Sequence, residues 1–90
     1  MMGSVNVRIK IMPSSPSANL NKIKEEAKKI LEKEGGRGCM FEEEPIAFGL
    51  NAVIVTFLYP EEKELESVER RLEKIADANS VRIIDMRRAL

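Results

Sequence analysis

The stretch that decides the fold is the apolar run Asn51-Ala52-Val53-Ile54-Val55-Thr56-Phe57-Leu58-Tyr59, which follows Glu42-Glu43-Glu44-Pro45-Ile46-Ala47-Phe48-Gly49-Leu50. The run is rich in β-branched residues and is bounded by Pro60, a composition typical of a β-strand. Apolar residues occupy both of its alternating faces, which indicates a strand in the centre of a sheet. The rest of the chain is therefore expected to pack around residues 51–59.

The segment before this strand combines an acidic run with a turn. Pro45 and Gly49 indicate an irregular turn, and Phe48 between them is either a buried plug of the local core or a side chain offered to a partner. The three carboxylates of 42–44 are predicted to be solvated. They are a poor metal site because consecutive residues of an extended segment cannot all face one ion.

Composition indicates one compact domain, residues 1–90, with a single core. Fifteen basic residues balance fifteen acidic ones, so no global field draws the chain to nucleic acid or to a membrane surface. The lone Cys39 cannot form an internal disulfide and suits a reducing compartment. No apolar run is long enough to span a bilayer, and we predict a cytoplasmic protein.

The residue types present argue against a conventional enzyme. The sequence contains no histidine, so the commonest general base and metal ligand is missing. A single cysteine without histidine excludes the usual zinc sites. The glycine-rich segment 35–38 follows a predicted helix and lacks the lysine and hydroxyl of a phosphate-binding loop. We expect no catalytic residues and no metal site.

Periodicity assigns the remaining elements. Residues 5–11 alternate apolar and polar, which predicts a half-buried first strand. Helical periodicity then runs from a predicted cap at Asn19 to the glycines 35–36. Residues 37–44 predict a short second strand with Cys39 and Phe41 facing the core.

Two further elements follow the central strand. A second helix is predicted to begin at Pro60 and to end between Ala76 and Asn79, because Leu65, Val68, Leu72 and Ile75 share one helical stripe. A last strand at 81–84 runs into the basic tail.

The order β-α-β-β-α-β, with helix-sized crossovers, predicts a ferredoxin-like α+β sandwich. Four antiparallel strands in the spatial order 4-1-3-2 would carry both helices on one face. The other face of the sheet would then be open. Since the central strand is apolar on both sides, we expect apolar surface there, which either marks a partner site or is covered by a loop or a second copy.

The chain resembles a known family at four places. These are Glu43-Glu44-Pro45-Ile46-Ala47-Phe48-Gly49-Leu50, Ile9-Lys10-Ile11-Met12-Pro13, Ser15-Pro16 and the terminal Asp85-Met86-Arg87-Arg88. Together they are similar to the archaeal translation elongation factor 1-beta family, and the resemblance covers essentially the whole chain. It implies a single guanine nucleotide exchange domain with the ferredoxin-like fold.

The resemblance also implies a function. A member of this family binds the GDP form of the GTPase elongation factor 1-alpha and promotes exchange of GDP for GTP, without covalent chemistry or a cofactor. In eukaryotic members an aromatic side chain of the turn and a lysine next to the C-terminus act near the nucleotide and its Mg²⁺. These positions correspond to Phe48 and Arg88. The partner-binding residues that the resemblance implies are Pro45, Ile46, Phe48, Gly49, Arg87 and Arg88, and it favours an exposed Phe48.

Two other functions use the same fold. An RNA-binding module would stack bases on aromatic side chains of its central strands, but the first strand has none. An acylphosphatase-like hydrolase would need a phosphate-cradling loop after that strand, where this chain carries Pro13 and Pro16. Neither alternative is favoured.

Overall fold

The computed structural model describes residues 3–89. Four strands and two helices follow one another in the predicted order. Their bounds are β1 Ser4–Pro13, α1 Leu20–Lys33, β2 Arg37–Pro45, β3 Asn51–Pro60, α2 Glu66–Glu73 and β4 Ala78–Arg88.

The strands form one sheet in the order β2-β3-β1-β4, and every neighbouring pair is antiparallel. β3 lies between β2 and β1, so the apolar run is central as its composition predicts. Read from the other edge, this is the predicted order 4-1-3-2. The ferredoxin-like fold class is thereby confirmed.

Both helices pack on one face of the sheet, which we call the helix face; the opposite one is the open face. Alternate residues of β1 and β3 point into the core that this packing creates, because side chains of a strand alternate between its two faces. The buried cluster consists of Val7, Ile9, Ile11, Ile23, Ala27, Leu31, Val53, Val55, Phe57, Tyr59, Val68, Leu72 and Ile75.

α1 begins and ends as its sequence predicts. The side chain of Asn19 accepts a hydrogen bond from the backbone N–H of Lys22 at 3.1 Å and so caps the first turn. The chain leaves the helix through Gly35, whose φ of +100° is a conformation that glycine adopts without strain.

The predicted start of α2 is wrong. Pro60 is the last residue of β3 and pairs with Ser4 of β1, and the next N–H, that of Glu61, donates to the carbonyl of Gly3 at 3.0 Å. These contacts keep residues 59 and 60 in β3 and hold the turn that follows, so the helix starts only at Glu66. Its end at Glu73 is also earlier than predicted, although the stripe Val68, Leu72 and Ile75 is buried as expected.

The two edge strands follow the predictions, but their pairing contains register shifts that the sequence does not predict. In β2, Cys39 and Phe41 pack against the core while Met40 is exposed. In β4 the pairing with β1 shifts between Ile83 and Asp85, which marks a β-bulge. Beyond this bulge the alternation of side chains between the two faces is shifted by one residue. Met86 therefore points to the helix face, and the residues after it continue the shifted alternation.

Candidate functional site

A five-residue loop, Ile46–Leu50, joins β2 to β3 and forms the tip of their hairpin. Two backbone hydrogen bonds close it: the N–H of Ile46 donates to the carbonyl of Leu50 at 2.7 Å, and the N–H of Leu50 donates to that of Ala47 at 3.3 Å. Between them, the backbone turns sharply over Ala47–Gly49, with positive φ at both Phe48 and Gly49. The shape of the tip is therefore fixed by the backbone itself.

Phe48 stands at the top of this turn. Its residue surface is 93% exposed, so the exposed alternative is confirmed and the buried plug is wrong. Its backbone has φ +63° and ψ 31°, the left-handed region that bulky residues rarely adopt. Such a conformation costs about 1–3 kcal/mol. The tip therefore holds a large aromatic side chain in solvent at a cost to the stability of the fold.

The neighbours of Phe48 support the turn and the surface beside it. Gly49 has a φ of +75°, which suits glycine. Pro45 is exposed at the end of β2 and pairs with Asn51 across the hairpin. Ile46 is half-buried and lines a shallow concavity of the open face. Pro45, Ile46, Phe48 and Gly49 thus lie together, as the sequence leads one to expect.

Arg87 and Arg88 lie elsewhere. Because of the bulge in β4, Arg88 shares the helix face with Val5 and forms an ion pair with Glu61. Arg87 faces the other way, and its Nε lies 3.1 Å from Oδ2 of Asp85. The two arginines therefore point to opposite faces of the sheet.

The predicted site residues do not form one patch. The tip adjoins Asn51 at one end of β3, whereas Arg88 pairs with Val5, which pairs with Tyr59 near the other end. Asn51 and Tyr59 are eight residues apart, which corresponds to about 26 Å of extended chain. Phe48 and Arg88 consequently lie at opposite ends of the sheet.

The acidic run is exposed to solvent, as predicted, and its three carboxylates also pair with three cations. Glu42 and Glu44 face the open side and contact Arg8 and Lys10 of β1, with N–O distances of 3.4 and 2.8 Å. Glu43 points to the helix face and contacts the Nζ of Lys24 of α1 at 2.6 Å. The charged residues that alternate along β1 and β2 could have indicated these ion pairs, but only once β3 is known to lie between the two strands.

These ion pairs bear on the apolar surface expected on the open face. Arg8 and Lys10 reach across β3 toward β2, and Ile54 lies between the two bridges. Ile54 is only 3% exposed and Ala52 is fully buried. The apolar side chains of β3 do face this side, but the chain covers them with its own charged side chains. A partner or a second copy is not needed for that purpose.

Among the residues that the structure describes, two titratable groups have clearly shifted pKa values. Burial raises the pKa of the Cys39 thiol, and the carboxylate of Glu32 adds to the effect. Burial also raises the pKa of the Tyr59 phenol, with Glu34 contributing. Both groups are therefore neutral at pH 7, so Cys39 is a poor nucleophile.

The geometry also bears on the alternative functions. β1 and β3 carry no aromatic side chain on the open face, where an RNA-binding sheet would stack bases. In the loop after β1, the N–H groups of Ser14 and Ala18 already donate to carbonyls of Asp77 and Ser15. Neither is available to cradle a phosphate.

Residues 3–89 contain no cluster of three or more side chains suited to hold a metal ion. Within the same residues, no helix has the length and apolarity needed to cross a membrane.

Comparison with known proteins gives a consistent result. Residues 6–89 match the family described as the EF-1 guanine nucleotide exchange domain. A protein named elongation factor 1-beta from Methanocaldococcus jannaschii is 40% identical over 87 residues, which cover 94% of this chain and 97% of the relative. Its namesake from Methanobrevibacter smithii is also 40% identical and covers 99% of this chain and 100% of its own. A third, from Methanosarcina barkeri, is 38% identical, with 97% and 99% covered.

Proposed function

Because the chain belongs to the family of EF-1 guanine nucleotide exchange domains, we propose that it promotes the exchange of GDP for GTP on elongation factor 1-alpha. The matched residues include both ends of the sheet, the Phe48 tip and Arg88. The proposed role involves no covalent chemistry and needs no cofactor. It would operate in the cytoplasm, where translation takes place.

The single observation that carries the proposal for the site is the exposed, strained Phe48. An aromatic side chain that is 93% exposed gains little from the core of its own chain, and its backbone conformation is unfavourable. Aromatic anchors of this kind commonly dominate the binding energy of an interface. We therefore assign Phe48 as the main contact with the GTPase.

The physics of the activity is thermodynamic linkage. A factor that binds the nucleotide-free GTPase more tightly than the GDP form must weaken GDP binding by the same coupling free energy. Much of the affinity for GDP comes from the phosphate-binding loop and from Mg²⁺. A cation of the factor near this position would compete with the metal, and Arg88 is the candidate. Its planar guanidinium keeps the charge of a lysine but has a different shape, so pairing with a phosphate is the alternative to metal displacement.

The separation of about 26 Å along β3 favours different contacts for the two ends of the sheet. A cation is attracted to the phosphates and the metal site, whereas an aromatic ring gains most in an apolar pocket. One nucleotide site cannot receive both side chains at this separation. We therefore assign Arg88 to the nucleotide and Phe48, with Pro45, Ile46 and Gly49 around it, to a second contact on the GTPase. Arg87 would contact the GTPase at the same end of the sheet as Arg88.

The proposal is tested by GDP release. The cognate elongation factor 1-alpha is loaded with fluorescent GDP, mixed with excess unlabelled nucleotide, and followed by stopped-flow fluorescence with and without the factor. We expect micromolar factor to accelerate the release of labelled GDP in a saturable manner. A release rate equal to that of the factor-free control would overturn the proposed function.

A further inference from the structure

The short α2 leaves part of the helix face uncovered. Since this helix begins only at Glu66, the chain crosses residues 61–65 as a turn, and the end of the sheet near Arg88 lies beside that turn. There Val5 and Ile83 are half-buried and Met86 is 56% exposed. A concavity with an apolar floor results, which we call the α2 groove. Its floor is formed by Val5, Tyr59, Leu65, Ile83 and Met86.

The rim of the α2 groove is acidic. It carries four carboxylates, those of Glu61, Glu64, Glu66 and Glu69, against one lining cation, Lys63. Arg88 and Arg70 neutralise Glu61 and Glu66 from outside the lining. Among residues 3–89, Glu64 and Glu69 have no ion-pair partner.

The cation of the groove is already engaged. Lys63 donates from Nζ to the carbonyl of Glu34 at 2.7 Å, and the same nitrogen lies 5.9 Å from the centre of the Tyr59 ring. This neutral acceptor leaves the positive charge of Lys63 in place. With Arg70 and Arg88, three cations stand against the four carboxylates, and the remaining net charge of −1 favours a basic ligand.

Glu61 connects the α2 groove to the end of the sheet assigned to the nucleotide. It lines the groove and also holds Arg88. A protein that contacts Arg88 from the helix face consequently meets the groove as the next surface.

We infer that the α2 groove binds a segment of the GTPase in which an apolar side chain is flanked by lysine or arginine. The apolar residue would pack on Met86 and Ile83, and the basic ones would face Glu64 and Glu69. This inference rests on the proposed function and adds a third contact to it, one that sets the affinity and association rate of the factor without acting on the nucleotide.

The test replaces the exposed floor residue by a charge. Met86→Glu places a carboxylate where the partner would have to desolvate it, so the factor concentration needed for half-maximal GDP release should rise at least tenfold. The plateau rate should change little, because the variant leaves Phe48 and Arg88 in place. The matched control is Met40→Glu, which changes another exposed methionine on an edge strand, 68% exposed and on β2. This control should behave as the wild type, and thermal melts should show both variants folded.

The acidic rim is tested separately through salt. Neutralising Glu64 and Glu69 to glutamine should slow association and flatten its dependence on ionic strength, since rim charges act mainly on the association rate. The same change at Glu25 and Glu32, exposed carboxylates of α1, serves as control and should alter neither quantity.

The outcomes separate the two proposals. If the wild type fails to accelerate GDP release, the proposed function fails and this inference with it. If the wild type is active and Met86→Glu matches Met40→Glu, only the α2 groove is overturned. The remaining possibility is that a second copy of this chain occupies the groove, which sedimentation velocity at the assay concentration tests. A dimer that Met86→Glu dissociates would also overturn the inference.

Discussion

The two ends of the sheet present the side chains that we propose contact the GTPase in different ways. At the hairpin tip, backbone hydrogen bonds and a left-handed conformation hold Phe48 in solvent before any partner arrives. At the other end the strand itself is secured, since the N–H of Ala89 donates to the carbonyl of Ser4 at 2.9 Å. The guanidinium of Arg88, however, is bound to Glu61. The tip is thus preorganised for the proposed contact, whereas Arg88 would have to exchange one anion for another.

The largest expected effect follows from the preorganised end. Phe48→Ala removes the aromatic anchor and should weaken the factor by about 2–4 kcal/mol, or roughly 30- to 1,000-fold in the concentration for half-maximal GDP release. The free energy of unfolding should change by less than about 0.5 kcal/mol, because an exposed side chain leaves no cavity. Stopped-flow release and urea unfolding measure the two quantities.

The control for this variant is Met40→Ala, which removes an exposed apolar side chain from β2 of the same hairpin. It should leave exchange unchanged. A large loss of stability in Phe48→Ala with normal exchange by the folded fraction would assign the ring a structural role and remove the contrast between the two ends.

The next effect concerns Arg88. Arg88→Ala should lower exchange efficiency about tenfold, which corresponds to about 1.4 kcal/mol, because part of the binding energy of the guanidinium is offset by the loss of its pair with Glu61. The measurement is GDP release with and without Mg²⁺. If Arg88 acts on the metal, the defect should shrink when Mg²⁺ is removed by chelation.

Arg88→Lys tests the same end more finely. A compact ammonium keeps the charge but cannot form a planar bidentate contact. Activity equal to the wild type would indicate that charge alone matters, whereas a loss would indicate pairing with a phosphate or a carboxylate. Full activity of Arg88→Ala would show that this end does not act in exchange.

The sequence predicts only part of the difference between the two ends of the sheet. The alternation of residues 5–11, the stripe of α1 and the apolar run 51–59 are local patterns, and each predicts its element correctly. The turn around Phe48 could also be predicted, because Pro45 and Gly49 act on the backbone next to them. Exposure of the ring is predicted mainly by the family resemblance.

What the sequence did not reveal depends on contacts between distant segments. Pro60 would suit the first turn of a helix, yet the ladder with Ser4 keeps it in β3. The bulge after Ile83 decides that Arg88 lies on the helix face and Arg87 on the open face, and no residue there signals it. The ion pairs of Glu42 and Glu44 likewise require the register of three strands. At the Arg88 end, the ion pairs of the side chains and the face of the sheet on which they lie are therefore set by tertiary contacts.

A smaller effect tests the strain at the tip. Glycine adopts the left-handed region without a steric cost, but its flexible unfolded state offsets part of the gain. Phe48→Gly should therefore be about 0.5–1 kcal/mol more stable than Phe48→Ala, which corresponds to a melting temperature higher by roughly 2–8 °C. Calorimetry compares the two variants, and neither should promote exchange.

This prediction separates strain from simple exposure. If Phe48→Gly melts below Phe48→Ala, the left-handed conformation carries no cost that glycine relieves. The tip would then be an ordinary exposed loop rather than one held in an unfavourable conformation for its partner.

The smallest effect distinguishes the two faces of the Arg88 end. Arg87 pairs with Asp85 on the open face, away from Arg88 and the α2 groove. If the GTPase approaches from the helix face, Arg87→Ala removes only long-range attraction and should lower the association rate less than threefold, with the loss disappearing at high salt. Arg82→Ala, which removes another exposed arginine of β4, provides the control for a general change in charge. Arg87→Ala could instead cause a defect in exchange as large as that of Arg88→Ala, and this defect could persist at high salt. That result would mean that the partner contacts the end of β4 from both faces of the sheet. The exchange site would then include the open face as well.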